Sequence, residues 1–227
     1  MPARSVFAVI PAYQESRRIT SVVETARHYL PVVVVDDGST DDTATRAEVA
    51  GAIVLRQVAN AGKGAALRAG FAYALDHGAD AVVTLDGDGQ HDPDEIPEFL
   101  AAHQRSGAQL VIGRRDFGSM PLVRRVSNTL GRMIISVAVG QDIPDNQSGY
   151  RLIGRRLMTE LLDSREAGFG FEVEMIARCI ALDLPVAWVP IRTIYAGESS
   201  HIRPWAHLTS FLRVARAARQ MVRANHA

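Results

Sequence analysis

The chain has 227 residues, enough for one large domain with a sizeable core, and its 25 basic and 25 acidic residues cancel, which argues against nucleic acid as a partner. A single cysteine, Cys179, excludes an intramolecular disulfide, and its apolar helical surroundings predict a core position. The N-terminus lacks the pattern of a secretory signal and no apolar run is long enough to span a bilayer, so we expect a cytoplasmic protein that is soluble or peripheral at the inner face of the membrane.

The first half of the chain alternates short β-branched runs with helical patterns. This alternation is typical of an α/β fold with a parallel sheet, and the apolar runs suit strands that are buried on both faces. The predicted strands cover residues 6–10, 32–35, 52–55, 81–85 and 109–113, and the predicted helices cover about 16–30, 41–50, 64–77 and 93–105.

The second half is less regular, and no linker separates it as a second domain. We expect this half to form the side of the binding site that holds a second substrate, the acceptor. The pattern predicts helices at 122–139, 155–162 and 171–182, a polar segment at 142–151 and a strand at 186–190.

The last predicted helix, 204–222, is amphipathic and basic. Arginines 213, 216 and 223 lie off its apolar side, and no acidic residue follows Glu198. Such a helix can lie in the headgroup layer of a membrane, or it can pack its apolar side on the core or on a partner subunit. The apolar side comprises Trp205, Leu208, Leu212, Ala215 and Val222.

Polar clusters follow four of the predicted strands. Ligands of open α/β sheets bind beyond the carboxyl ends of the strands, so we expect the four clusters to converge on one crevice. They are residues 11–15, 36–40, 86–91 and 113–115.

Asp86 and Asp88 stand one residue apart where a strand gives way to glycine. Two carboxylates about 4 Å apart repel by roughly 4 kcal/mol at an effective dielectric of about 20, so a divalent cation is a natural partner. Oxygen ligands favour Mg²⁺ or Mn²⁺, and such an ion is suited to holding a diphosphate. The alternative is a solvated turn, because Asp and Gly are common turn residues. The EF-hand spacing is not met, since His91 and Pro97 replace its glycine and glutamate.

Lys63 is the only lysine and lies in a glycine-rich turn, NAGKG. Neither the Walker pattern nor the dinucleotide-binding glycine pattern is present, so its predicted role is limited to approaching a phosphate at a helix start. Asp37, at the end of the second strand, can accept hydrogen bonds from a nucleotide base, whereas helix capping alone accounts for Asp41 and Asp42.

A phosphatase of the haloacid dehalogenase type also carries D-x-D-G after a strand. Here Gln90 replaces the usual Thr or Val, and no lysine follows Asp88. The phosphatase stays a weaker alternative.

Several segments together resemble family 2 glycosyltransferases, especially those that act on dolichyl or polyprenyl phosphate. The resemblance covers about residues 5–205 in unbroken order and implies a GT-A fold with a mostly parallel sheet, in residues 1–203, followed by the basic helix in 204–227. The segments are IPAYQE, VVDDGSTDDT, NAGKGAALRAG, LDGDGQHDP, GRR, DNQSGYR and FEVEM.

The resemblance also implies roles for individual residues around a nucleotide-sugar donor. Asp86, Asp88 and Gln90 hold the metal and diphosphate, with Asp88 and Arg115 in the catalytic machinery, and Arg115 and Lys63 face phosphates. The predicted wall around base and ribose is formed by Pro11, Tyr13, Glu15, Val35 and Asp37.

For the acceptor, the resemblance implies a polyprenyl phosphate neutralised by Arg124 or Arg125. Eukaryotic members of this group have a basic residue after Gly-Glu-Ser that contacts a phosphate, and here either His201 or Arg203 is expected to take that contact. A lipid phosphate needs no strong base, whereas a hydroxyl acceptor does, and Asp145 is the candidate base. The expected reaction is metal-dependent transfer with inversion. The donor, GDP-mannose, UDP-glucose or another nucleotide sugar, is left open.

Overall fold

A computed structural model describes residues 5–116, 118, 122–168, 170–192, 194 and 204–225, without the side chains of 122–124, 126, 127, 204–212 and 225. The strands are β1 (Val6–Ala12), β2 (Val32–Asp36), β3 (Ile53–Arg56), β4 (Ala81–Thr84), β5 (Leu110–Arg115), β6 (Arg151–Gly154) and β7 (Val186–Ile191). The helices are α1 (Ile19–Ala26), α2 (Thr43–Val49), α3 (Lys63–Asp76), α4 (Ile96–Ser106), α5 (Leu122–Val139), α6 (Arg155–Leu161), α7 (Gly170–Ala181) and α8 (Pro204–Asn225), with a short 3₁₀ turn, Pro93–Glu95, before α4.

The strands form one seven-stranded sheet in the order β3-β2-β1-β4-β6-β5-β7. All neighbours pair in parallel except β6, which is antiparallel to both β4 and β5. The mostly parallel α/β fold predicted from the sequence is confirmed.

The sequence pattern missed β6, and the placing of Arg151 in a polar segment was wrong. All four residues of β6 are buried, and Arg151 is only 1% exposed although it is charged. A four-residue strand that begins with arginine and is buried on both faces shows neither alternation nor a continuous apolar run, which are the signals of a strand.

The core has two layers, one on each face of the sheet. Val33 and Val35 point to the layer that contains α3, α5, α6, α7 and α8, whereas Val32 and Val34 point to the layer of α1, α2 and α4. Successive side chains of a strand alternate between faces, so a run of valines supplies both layers. Cys179 lies in the first layer, as predicted, and burial raises the pKa of its thiol to about 12.

Helix α8 packs against α7 and α5. Ala215 and Ala218 are buried there, and Val222 packs against the same core. For this half of the helix the core-packing alternative is therefore observed. The side chains of Trp205, Leu208 and Leu212 lie outside the described residues. No helix in the described part of the chain combines the length and apolarity that crossing a bilayer requires.

Candidate functional site

The carboxyl ends of β1, β2, β4 and β5 lie at one edge of the sheet. β1, β2 and β4 are parallel neighbours, and β5 runs in the same direction because β6 is antiparallel to both β4 and β5. The polar segments that follow these strands therefore meet at this edge, as the sequence predicts.

The segment after β1 is tied to the segment after β2 by hydrogen bonds. The Gln14 amide donates to Ser39 Oγ at 3.0 Å, and the Glu15 amide donates to Thr43 Oγ1 at 2.8 Å. Gln14 has φ of 60°, a left-handed conformation that costs a non-glycine residue energy and that these bonds help to hold. Tyr13 is 46% exposed beside them, available to a ligand.

Two residues predicted to line a base and ribose, Pro11 and Val35, are partners in the β1–β2 register. The side chain of Val35 is fully buried in the core against α3, where a Cβ on Gly70 would come within 3.3 Å of it. Any contact of Val35 with a ligand at the strand ends must therefore come from its backbone.

Asp37 holds the turn that leads into α3. One carboxylate oxygen accepts from the Ala61 amide at 2.8 Å, and the other accepts from the Gly62 amide at 2.9 Å. The next residue, Gly38, has φ of 75°, and a Cβ there would lie 2.6 Å from the Ala59 carbonyl carbon, so the close approach of the two loops requires glycine. Asp37 thus positions the loop that carries Lys63. The sequence did not predict this role of Asp37.

Lys63 bridges two carboxylates at the centre of the edge. Its Nζ is 2.6 Å from Asp86 Oδ1 and 2.7 Å from Glu172 Oε1, in the first turn of α7. Burial alone would raise the pKa of Asp86, but the Lys63 ammonium outweighs it and, with His91 and Arg115, lowers that pKa to about 2. Burial alone would likewise lower the pKa of Lys63, and the two carboxylates raise it instead.

His91 and Gly149 close around Asp86. His91 Nδ1 accepts a hydrogen bond from the Asp86 amide at 3.1 Å, and burial lowers the pKa of the imidazole to about 4, so the ring is neutral at physiological pH. A Cβ on Gly149 would lie 2.7 Å from Lys63 Nζ and 2.9 Å from an Asp86 oxygen, so any other residue would have to displace this ion pair.

Asp88 is held by Gln90 and Arg18. The Gln90 amide donates to Asp88 Oδ1 at 2.9 Å, the Gln90 side chain donates to Oδ2 at 2.8 Å, and Arg18 donates to the Asp88 carbonyl at 2.7 Å. These contacts fix the Asp88 loop, and the role of Arg18 was not predicted.

The residues at this edge fit a divalent cation. Mg²⁺ in nucleotide sites is typically bound by one or two carboxylates, with phosphates and waters completing the shell, and Asp86 and Asp88 supply that set with Gln90 beside them. With Lys63 and Glu172 the group has a formal charge of minus two, which a divalent ion neutralises. Among the described residues, no three or more His, Cys, Asp or Glu side chains are grouped so that they could hold a metal ion.

Arg115, at the end of β5, forms a two-pronged ion pair with Asp145. Arg115 Nε is 2.7 Å from one carboxylate oxygen and Nη2 is 2.9 Å from the other. Asp145 is completely buried and also accepts from the backbone amides of Gln147 and Ser148. Both oxygens are thereby engaged in positioning Arg115 and the 145–148 turn.

A fully buried arginine, Arg151, fixes the same turn to α7. It donates to the carbonyls of Ser148 at 2.8 Å, Asn146 at 3.2 Å and Glu172 at 2.6 Å. Burial lowers the pKa of its guanidinium. This clamp places Glu172 beside Lys63. Arg151 and Glu172 lie in the segments DNQSGYR and FEVEM, which carry the family resemblance, but the sequence predicted no role for either residue.

The predicted acceptor-phosphate residues are only partly described. Arg125 is exposed on α5, whereas Arg132, seven residues further along the same helix, is half-buried. The side chain of Arg124 and all of His201 and Arg203 lie outside the described residues.

Residues 7–162 match the family model for glycosyl transferase family 2. The chain is 33% identical over 201 residues to undecaprenyl-phosphate mannosyltransferase of Micrococcus luteus, covering 82% of each protein. It is 29% identical over 226 residues to UDP-N-acetylglucosamine–dolichyl-phosphate N-acetylglucosaminyltransferase of Methanococcus voltae, covering 88% of this chain and 89% of that protein.

A crystal structure of glucosyl-3-phosphoglycerate synthase from Mycobacterium tuberculosis, in complex with Mn²⁺, UDP and glucosyl-3-phosphoglycerate, is similar in fold. The TM-score is 0.73 at 25% identity, with 95% of this chain and 78% of that chain covered. The same synthase is also known in complex with Mg²⁺ and UDP.

Proposed function

Because the chain belongs to glycosyltransferase family 2, we propose that it transfers a sugar of the mannose or glucose type from a nucleotide sugar to a polyprenyl phosphate, with inversion and with Mg²⁺ or Mn²⁺. Relatives named for transfer to undecaprenyl and dolichyl phosphate support the acceptor. A similar fold that binds Mn²⁺ with UDP supports the metal and the nucleotide.

The observation that carries the choice of acceptor is the state of Asp145. A general base needs a free oxygen within reach of the proton that it removes. Asp145 is buried, and each of its oxygens accepts at least two hydrogen bonds, from Arg115 and from the amides of Gln147 and Ser148. A hydroxyl acceptor would need such a base, whereas a phosphate monoester is already ionised at neutral pH. The site therefore favours a phosphate acceptor, with Asp145 positioning Arg115.

On the donor side, Tyr13, Glu15 and the Asp37 loop flank the base and ribose. Asp86 and Asp88, with Gln90, would hold the divalent ion, which when bound neutralises the charge that develops on the leaving diphosphate. Arg115, held by Asp145, faces the phosphates from the β5 side and adds positive charge where the leaving group gains negative charge.

On the acceptor side, the protein needs to orient the lipid phosphate in line with the bond that breaks and to reduce its repulsion from the diphosphate. The phosphate oxygen attacks the anomeric carbon from the face opposite the leaving group, which inverts the configuration. Arg125 is exposed on α5 for this purpose, and Arg124, His201 and Arg203 are the further predicted cationic contacts.

A direct test supplies one nucleotide sugar at a time with Mn²⁺ and two matched acceptors, a short-chain polyprenyl phosphate and the corresponding polyprenol. We expect transfer to the phosphate only. Asp88→Asn should abolish it, whereas Asp94→Asn, an exposed aspartate that bonds Tyr29 beyond the same loop, should not. Equal transfer to the alcohol would refute the proposed acceptor, and phosphate release without sugar transfer would favour a phosphatase.

A further inference from the structure

A second cleft opens at the edge of the sheet opposite the candidate site. Because β6 is antiparallel to β4 and β5, the starts of β4 and β5 and the end of β6 lie together at this edge. The cleft between them has a volume of about 580 Å³, which is in the usual range for small-molecule sites. It is called the opposite-edge cleft, and its polar lining includes Asp80, Gln109, Arg155, Arg156, Thr159 and Glu160.

The opposite-edge cleft is separate from the candidate site. Gln109 precedes β5 and Arg115 ends it, so the six residues of this strand place the two about 20 Å apart, at about 3.3 Å per residue. A small ligand that contacts Gln109 therefore cannot also reach Arg115 or the loop that carries Asp86 and Asp88.

Gln109 places a buried acceptor without a partner in the lining. Its backbone amide donates to the Pro185 carbonyl at 2.9 Å, and its carbonyl accepts from the Gly154 amide at 2.9 Å. The side chain lies over Gly154, where a Cβ would come within 2.4 Å of Oε1. Oε1 is buried and has no hydrogen-bond partner among the described residues. Because an unfilled buried acceptor costs free energy, we expect a donor from a ligand or a water there.

Arg155 and Arg156, at the start of α6, supply positive charge to the cleft. Arg155 Nη1 donates to the Ala79 carbonyl at 2.6 Å, which fixes this arginine against the segment before β4. Within the described part of the chain, neither guanidinium forms an ion pair. A planar guanidinium matches the geometry of a phosphate group, so the pair can hold a phosphate.

Asp80 and Glu160 place two carboxylates in the same lining, which therefore has no net formal charge. An inorganic anion alone would leave these carboxylates unpaired, and a cation would meet the two arginines. Carboxylates and an amide oxygen accept hydrogen bonds from hydroxyl groups. The lining thus fits a ligand that combines one anionic group with several hydroxyls.

We propose that the opposite-edge cleft binds a small hydroxylated phosphate ester of the sugar-phosphate class. Its phosphate group pairs with Arg155 and Arg156, while its hydroxyls donate to Gln109 Oε1 and to the carboxylates of Asp80 and Glu160. The inference is independent of the proposed function, because no residue of the candidate site takes part.

The test is isothermal titration calorimetry of the full chain with glucose 6-phosphate, glucose and inorganic phosphate, in EDTA so that the candidate site holds no metal. We expect glucose 6-phosphate to bind most tightly. Arg156→Gln should weaken its binding about tenfold, through loss of a charge-assisted hydrogen bond, whereas Arg46→Gln, an exposed arginine on α2, should not. Gln109→Met should weaken it about fivefold and leave the binding of inorganic phosphate unchanged.

Three outcomes would overturn the inference: no binding of glucose 6-phosphate at millimolar concentration, equal binding by Arg156→Gln and the wild type, or loss of binding in Asp88→Asn. The last would show that the ligand occupies the candidate site instead. Thermal unfolding checks the fold of each variant. Arg156 is exposed, and Gln109→Met removes an unpaired buried group, so neither change should lower the melting temperature.

Discussion

Replacing Lys63 by methionine removes the cation between two carboxylates while keeping a side chain of similar length. Lys63 Nζ is 2.6 Å from Asp86 Oδ1 and 2.7 Å from Glu172 Oε1, so these oxygens are at most about 5.3 Å apart, the sum of the two contacts. Two unit charges at that distance repel by about 3 kcal/mol at an effective dielectric of about 20. All three side chains are less than a third exposed, so solvent screening is limited.

We expect Lys63→Met to lower the free energy of unfolding by about 3 kcal/mol at pH 8, in line with the cost of breaking a buried ion pair from one side. For a chain of this size that corresponds to a melting temperature lower by about 6–12 °C. Mn²⁺ should stabilise the variant more than the wild type, because a bound cation replaces the lost positive charge. Thermal unfolding with EDTA and with Mn²⁺ measures both effects.

The control is the pair Arg56–Glu48, an ion pair with both side chains about half exposed. Arg56→Met should cost less than about 1 kcal/mol. Adding Glu172→Gln to Lys63→Met removes one of the repelling charges and should recover most of the stability. If the double variant is as unstable as the single one, repulsion is not the cause and the reasoning is refuted.

The stability difference between the wild type and Lys63→Met depends on pH, because the pKa of Asp86 is lowered to about 2 in the folded protein. A carboxyl group with a lowered pKa contributes stability above its unfolded pKa, near 4, and loses the contribution as the pH falls toward the folded value. The gap between the wild type and Lys63→Met should therefore be full at pH 8 and narrow below about pH 4.

Three further variants test other parts of the site. Arg115→Lys keeps the charge but loses the two-pronged contact with Asp145, so kcat should fall about tenfold or more; an unchanged kcat would remove Arg115 from the catalytic machinery. Gly149→Ala places a Cβ 2.7 Å from Lys63 Nζ and should reduce both stability and nucleotide-sugar affinity, measured by calorimetry; wild-type values for both would contradict the close packing. Arg151→Met strands three buried carbonyls and should cost about 3 kcal/mol or more in urea unfolding, whereas a loss below about 1 kcal/mol would show that the clamp is dispensable.

The sequence predicts the parallel part of the fold well because buried parallel strands are uninterrupted β-branched runs. The stretch VVVV in β2 gives its strand and both of its core faces directly. The prediction of strands from the sequence fails at β6, where four residues that start with Arg151 carry no periodic signal. The amphipathic pattern of α8 was compatible with membrane or core, and only its packing on α7 distinguishes the two for the described half.

The sequence proposes site residues where they are adjacent in the chain, and it does not indicate contacts between residues that are distant in the chain. Asp86 and Asp88 form a local motif, but the Lys63–Glu172 contact joins residues 109 apart. Asp145 was predicted as the base for a hydroxyl acceptor, and its pairing with Arg115, 30 residues away, could not be predicted from the sequence. Such contacts depend on tertiary packing, which no local pattern records.

The antiparallel insertion of β6 separates the sheet edge into two regions of different origin. The loops after β1, β2 and β4 leave parallel strands, whereas the 142–150 turn leads into β6, which lies antiparallel between β4 and β5. Substitutions in this incoming turn can therefore change the contact between Asp145 and Arg115 while β1, β2 and β4 keep their sequence.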